Sequence, residues 1–273
     1  MAQRVLTALV GIPVLVSAVW WGAPWLTLLV LLAAVLGVRE VYNLTPPGIS
    51  RLPFLLGALW AIALVLGGQA AVSAQGLLFT SLGISLAGAF VALLWLIAFY
   101  RGPNVAVAGI YLVGGPLYLG FLLAHALVLR DLGDMDSLGR DWLLFALLVT
   151  FAADAGAFFT GRSIGRHRMA PSVSPQKTWE GAAGGFIFSV VAALALGQLL
   201  ELGASPWRYG GIGATVGVVS QLGDLFESKL KRLARAKDAG SIIPGHGGIL
   251  DRLDSIVFSV PAVYYLLAME FPP

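Results

Sequence analysis

Long apolar runs recur along the whole chain and are broken at intervals by short polar stretches. A hydrocarbon core of roughly 30 Å is crossed by about 20 helical residues. Runs of that order lie near residues 5–21, 25–41, 53–69, 77–99, 105–128, 142–161, 178–200, 207–228 and 253–270. In lipid each backbone must satisfy its hydrogen bonds within its own segment, so runs of this length predict helices. The alternating segments of about ten residues that mark a membrane barrel do not occur in the sequence. The expected fold is therefore an all-α, polytopic membrane bundle of about nine transmembrane helices. It forms a single membrane-embedded domain over 1–273, with leading helices in 1–141 and the chemically interesting helices and loops in 142–273.

Composition agrees with this pattern. Hydrophobic residues make up 58% of the 273 positions and charged residues only 11%, whereas soluble domains carry about 25% charged residues. Arg4 precedes the first apolar run, as in a signal peptide, but that run is long and no clear small-x-small cleavage site follows, so it is read as a retained helix. The chain has no cysteine, which excludes disulfides and thiolate chemistry.

The nine spans sort the loops into two sets. One holds Arg4, Arg39, Arg51, Arg101, Arg162, Arg166, Arg168, Lys177, Lys229, Lys231, Arg232, Arg235, Lys237 and Arg252; the other holds only Arg130, Arg140 and Arg208. Fourteen basic residues against three predict that the first set, with the N-terminus and the loops 162–177 and 229–252, faces the cytoplasm. The net charge of +3 hides this asymmetry. Arg39, Arg51 and Arg101 are read as snorkelling to headgroups, and Trp20, Trp21, Trp25 and Trp179 as interface anchors. No basic or aromatic module supports nucleic-acid binding.

Acids at span ends need an explanation, because a charge at the bilayer centre costs about 2.5–3.5 kcal/mol even on lenient scales. Asp154, Asp224, Glu227, Asp251 and Asp254 are such residues. On a helix Asp224, Glu227, Ser228 and Lys231 fall on one face, and Asp251, Asp254 and Ser255 repeat the spacing at the last span. Clustered carboxylates of this kind suit a hard cation such as Mg²⁺ that shares its shell with substrate phosphates. The segment between them, 228–238, has the pattern of a basic amphipathic helix on the interface. The Gly-rich stretch Ile243-Pro-Gly-His-Gly-Gly248 can bring backbone N–H groups close to an anion.

A second polar island, 161–181, lies on the same expected side. Ser174-Pro175 reads as an N-cap and first helical position, with Lys177 in the first turn beside free N–H groups that favour phosphate. Gly181, Gly184 and Gly185 would let a neighbouring helix approach. Phosphate cradles, a divalent cation and a cytoplasmic mouth in the membrane point to phosphoryl or nucleotidyl transfer to a lipid. A transporter is the rival class, since acids in bundles also mark ion paths, but no internal repeat is present and the acids gather at one end.

The stretch Ser228-x-x-Lys231-Arg232-x4-Lys237-Asp238-x5-Pro244-Gly-His246-Gly-Gly-Ile-Leu-Asp251-Arg252-Leu-Asp254 resembles the signature of phosphatidate cytidylyltransferases, also called CDP-diacylglycerol synthases. Ser174-Pro-x-Lys177-Thr-Trp-Glu-Gly181 is similar to a second block of that family, as are Asp154 with Gly156 and Gly161-Arg162. The resemblance implies transfer of CMP from CTP to phosphatidic acid, giving CDP-diacylglycerol and pyrophosphate, with Mg²⁺ required. It also implies a homodimer and a second, monovalent cation, in a multi-pass inner (cytoplasmic) membrane enzyme whose active site faces the cytoplasm. Asp224, Asp251 and Asp254 are the expected metal residues, with Asp238 as an alternative to Asp254 in the positioning of ligands or waters. Asp224, Asp251, Lys177 and His246 are the expected catalytic group. Ser174, Lys177, Ser228, Lys231, Arg232, Lys237, Asp238, His246, Gly247, Gly248 and Arg252 are expected to bind the substrates. A phosphate monoester has a second pKa near 6 and is already a nucleophile at neutral pH, so His246 is read as a hydrogen-bond donor to phosphate rather than a base. A CTP-using lipid kinase would need similar phosphate handling and would release CDP in place of pyrophosphate.

Overall fold

A computed structural model describes residues 2–71, 73–133, 136–243 and 247–268. The chain folds as helices α1 (Ala2–Trp21), α2 (Trp25–Asn43), α3 (Phe54–Gln69), α4 (Ala74–Phe99), α5 (Val105–Pro116), α6 (Leu122–Arg130), α7 (Asp136–Ile164), α8 (Trp179–Leu199), α9 (Pro206–Leu233), α10 (Leu250–Leu253) and α11 (Ile256–Ala268). A π turn at Leu117–Phe121 joins α5 to α6 without a break in the apolar run. Strands β1 (Arg168–Ala170) and β2 (Ser174–Thr178) form an antiparallel hairpin before α8.

The all-α expectation holds apart from this hairpin, whereas the expected count of about nine spans is not confirmed. Among the described residues, five stretches are long and apolar enough to cross a membrane: Trp25–Asn43, Ala74–Phe99, Val105–Arg130, Ser137–Ile164 and Trp179–Leu199. The described residues of the other four expected spans are mainly helical but depart from that profile, and residues 269–270 of the last one lie outside the described residues. The apolar parts of α1 and α3 are shorter, α11 has 13 residues, and α9 carries acids and bases through its last turns.

The chain divides into two compact units. The first comprises residues 1–128 and 230–252, and the second 129–229 and 253–272. In the first, α2, α3, α5 and the π turn pack on one another, with α1 on α2 and α4 on α3 and α5. Apolar helix surfaces meet there, so close fit rather than water exclusion selects the arrangement. Gly120 in the π turn approaches the α3 backbone, and a Cβ on it would stand 2.8 Å from Ala61 Cα. The Tyr42 hydroxyl donates to Leu112 O at 2.8 Å and ties α2 to α5 inside the same core.

In the second unit α7 packs along α8, and α11 against α7. The expected small-residue face is present: Gly184 and Gly185 of α8 meet Thr160 and the Ala153 carbonyl of α7. Trp142, Phe145 and Tyr209 form an aromatic cluster between α7 and α9. The Gln221 side chain of α9 donates to Ala182 O in α8 at 3.1 Å.

Two local expectations are corrected. No helix opens at Ser174, because residues 174–178 pair with 168–170 as a strand. A residue before proline is driven to extended backbone, and the hairpin partner supplies the backbone bonds a first helical turn would have left open. The N-cap is instead Thr178, whose Oγ1 accepts from Gly181 N at 3.1 Å, and Lys177 stands in the strand just ahead of it. Likewise 228–233 is not a separate interfacial helix but the last turns of α9, which ends where Arg235 takes φ of 56°.

Gly120→Ala is expected to destabilise the protein by about 1–3 kcal/mol through forced separation of the π turn from α3. Gly114→Ala, in the same run but with nothing within 4 Å of the added methyl, serves as the reference. Thermal unfolding of the two variants in detergent checks the difference; equal melting temperatures would contradict the packing account.

Candidate active site

The second unit brings together acids from different elements. Asp224 and Glu227 project from one face of α9, as their spacing of three predicts, and Asp254 follows α10. One carboxylate oxygen from each lies within 4.8 Å of the others. Gly223 makes this possible: a Cβ there would collide with Asp254 O, so only a bare α-carbon lets that backbone settle on α9. Glu227 is fully buried.

Positive charge reaches this group from the hairpin. Lys177 Nζ lies 2.7 Å from Asp224 Oδ2, and Ser228 Oγ donates to Asp224 Oδ1 at 3.4 Å. The hairpin is fastened at its base by Glu180 in the first turn of α8, whose carboxylate accepts from the N–H groups of Arg166 and His167 at 3.1 and 3.2 Å. His167 Nδ1 lies 2.5 Å from the same carboxylate. Asp154 of α7 accepts from Ser255 Oγ at 3.1 Å, while Ser255 N donates to Asp254 Oδ1 at 2.8 Å. Ser255 therefore couples Asp154 to Asp254, and Asp154 is in electrostatic reach of Asp224 and Lys177.

An all-oxygen donor set of three close carboxylates fits a hard divalent cation. Like charges gathered at this spacing repel one another strongly away from bulk water, and a cation between them removes that repulsion. Of the expected metal residues, Asp224 and Asp254 come together, with Glu227 as a third.

Asp251 belongs to the first unit and has a different environment. Lys231 Nζ lies 2.7 Å from Oδ1, and the N–H groups of Ala239 and Gly248 donate to Oδ2 at 3.0 and 2.8 Å. Burial disfavours ionisation of this carboxyl, but the Lys231 and Gly248 bonds outweigh it and hold Asp251 below its ordinary value. Gly247 takes φ of 85° so that the turn can close, with Ile243 N donating to Gly247 O at 2.9 Å. Gly248 thus turns its N–H toward a carboxylate of the chain itself.

Of the remaining expected residues, Ser174 opens β2 opposite Ala170. Arg232, Lys237, Asp238 and Arg252 are exposed, and Ser228 is buried. His246 lies outside the described residues. Glu40, in α2, escaped the sequence reading. It is 1% exposed and accepts from Ile249 N and Leu250 N at 3.0 and 2.8 Å. Its one sequence signal was an acid inside an apolar span, which adjacency to Arg39 disguised as a polar helix end.

The chain matches the cytidylyltransferase family over residues 2–270. It is 31% identical to the phosphatidate cytidylyltransferase of Staphylococcus epidermidis over 272 residues, 98% of this chain and 99% of that one. The Staphylococcus aureus (strain COL) protein of the same name is 30% identical over 267 residues, with the same coverage. A shorter match, 154 residues and 56% of each chain, joins it at 42% identity to the phosphatidate cytidylyltransferase of Bacillus subtilis (strain 168). With a match that runs nearly from end to end, the chain belongs to the cytidylyltransferase family.

Proposed function

We propose that this protein transfers the CMP moiety of CTP to phosphatidate, giving CDP-diacylglycerol and pyrophosphate, at the cytoplasmic face of the membrane. The reaction follows from the family and from relatives that carry this name. The observation that carries the choice of site is the group of Asp224, Glu227 and Asp254 with Lys177 bound to its outer acid. The excess of basic residues in the loops 162–177 and 229–252 supports the cytoplasmic orientation.

A phosphate oxygen of phosphatidate attacks the α-phosphorus of CTP; the new P–O bond forms as the bond to the β-phosphate oxygen breaks, and pyrophosphate leaves. The phosphatidate phosphate is ionised at neutral pH and needs no strong base, so the protein contributes mainly alignment and charge. Asp224, Glu227 and Asp254 would hold Mg²⁺, which would neutralise charge on the triphosphate and on the leaving pyrophosphate. Lys177, delivered by a hairpin rather than a flexible loop, holds Asp224 and offers its remaining N–H bonds to phosphate. Asp154, through Ser255, fixes the backbone that presents Asp254. Asp251 holds Lys231 by its ammonium group and Ala239 and Gly248 by their N–H groups, so that Lys231, with Arg232, Lys237 and Arg252, offers phosphate a basic surface. A homodimer and a monovalent cation beside Mg²⁺ enter on the family resemblance.

Purified protein supplied with CTP, phosphatidate and Mg²⁺ is expected to release pyrophosphate and form a CDP-lipid; release of CDP instead would mark a lipid kinase. Asp224→Asn should lower transfer by about 100-fold or more while extraction in detergent stays normal, and near wild-type turnover would remove this acid from the site. Lys177→Met should reduce kcat by at least about tenfold, and unchanged kcat would leave Lys177 a structural partner of Asp224.

Asp251 generates a pH prediction. Its carboxyl is held below the ordinary value of 3.8, so its contribution to stability is present above that value and is lost as pH falls through the lower, folded-state value. The wild-type melting temperature should therefore drop on acidification below about pH 4, and that of Asp251→Asn should drop less. Parallel curves for the two proteins would contradict the assignment.

A further inference from the structure

Glu40 sits in the last turns of α2, inside the first unit, with both carboxylate oxygens committed to another part of that unit. Ile249 N donates to Oε1 at 3.0 Å and Leu250 N to Oε2 at 2.8 Å, while the N–H just before them, that of Gly248, goes to Asp251 Oδ2 at 2.8 Å. Three successive N–H groups are thereby divided between two carboxylates.

The grip extends to both ends of the turn. A methyl at Gly240 or at Gly248 would run into the Glu40 carboxylate. Ala239, next to Gly240, also donates its N–H to Asp251 at 3.0 Å. Glu40 is thus wedged against the two backbone segments that supply N–H groups to Asp251. Only a carboxylate offers acceptors on both of its oxygens; an amide of the same size would turn an NH₂ toward one of the two donors.

We infer that Glu40 is a positioning residue for cytidylyl transfer: it fixes the backbone at 239–240 and 248–250, through which Asp251 is oriented and Lys231 is held for phosphate. The inference rests on the reading of Asp251 and Lys231 as site residues. Substrate need not touch Glu40, which is 1% exposed. Its effect on the reaction passes through the turn.

The test is Glu40→Gln in the full-length protein, purified in detergent, with transfer from labelled CTP to dispersed phosphatidate measured at varied concentrations of each. The expected result is a fall in kcat/KM for CTP of about 10- to 100-fold, with KM for phosphatidate within about twofold. The melting temperature should stay within about 3 °C of wild type. Glu40→Asp, which keeps both acceptor oxygens, should recover part of the loss. Unchanged kcat/KM for CTP overturns the inference. So does a uniform loss that follows the active fraction, with a melting temperature lower by about 10 °C or more, since that is the mark of a purely structural tie. Should Glu40→Gln not fold, Gly240→Ala disturbs the same carboxylate from the opposite side; the same kinetic pattern supports the inference and normal kinetics overturns it. Asp251→Asn separates the two levels. If it retains full activity, the reading beneath the inference fails with it, whereas an inactive Asp251→Asn beside a fully active Glu40→Gln removes only the role of Glu40.

Discussion

A carboxylate withdrawn from bulk water must find donors or positive charge within reach, and the buried acids of this protein meet that demand in two ways. Glu40 and Asp251 are satisfied within the chain, largely by backbone N–H groups of one Gly-rich turn and by Lys231. Asp224, Glu227 and Asp254 instead crowd one another within 4.8 Å, with Lys177 on one of them. The first arrangement is closed and suits a scaffold; the second gathers negative charge and suits a cation.

The glycines decide how closely these acids come. Gly223 lets the Asp254 backbone lie against α9, and Gly247 closes the turn that faces Asp251. Family membership adds a reaction to this geometry: a chain that handles CTP must meet a strongly anionic triphosphate. The hairpin that carries Lys177 is accordingly pinned at its base by Glu180, so that the ammonium group is presented from a fixed platform.

Much of this was legible before any coordinates. Asp224 and Glu227 read as one helical face because a spacing of three has only one geometric meaning on a helix, and Asp254 stood out as a charge at the edge of an apolar run. Ser174 misled, since Ser-Pro opens helices and extended segments alike, and the choice was made by Arg168–Ala170, a pairing partner that local pattern does not reveal. The expected span count is not confirmed where helices are apolar but short, as in α3, or long but charged, as in α9. Glu40 was hidden for a different reason: its donors lie 209 and 210 residues downstream, and no window along the sequence joins them.

That separation has a consequence for biogenesis. At about 5–20 residues per second, a ribosome needs roughly 10–40 seconds after making α2 before the residues that hydrogen-bond Glu40 exist. During that interval the acid must be accommodated near its helix end by headgroups or water, which favours its place in the last turns of α2 over a mid-span position. Satisfaction of its carboxylate is then a late event, available only once synthesis has passed Leu250.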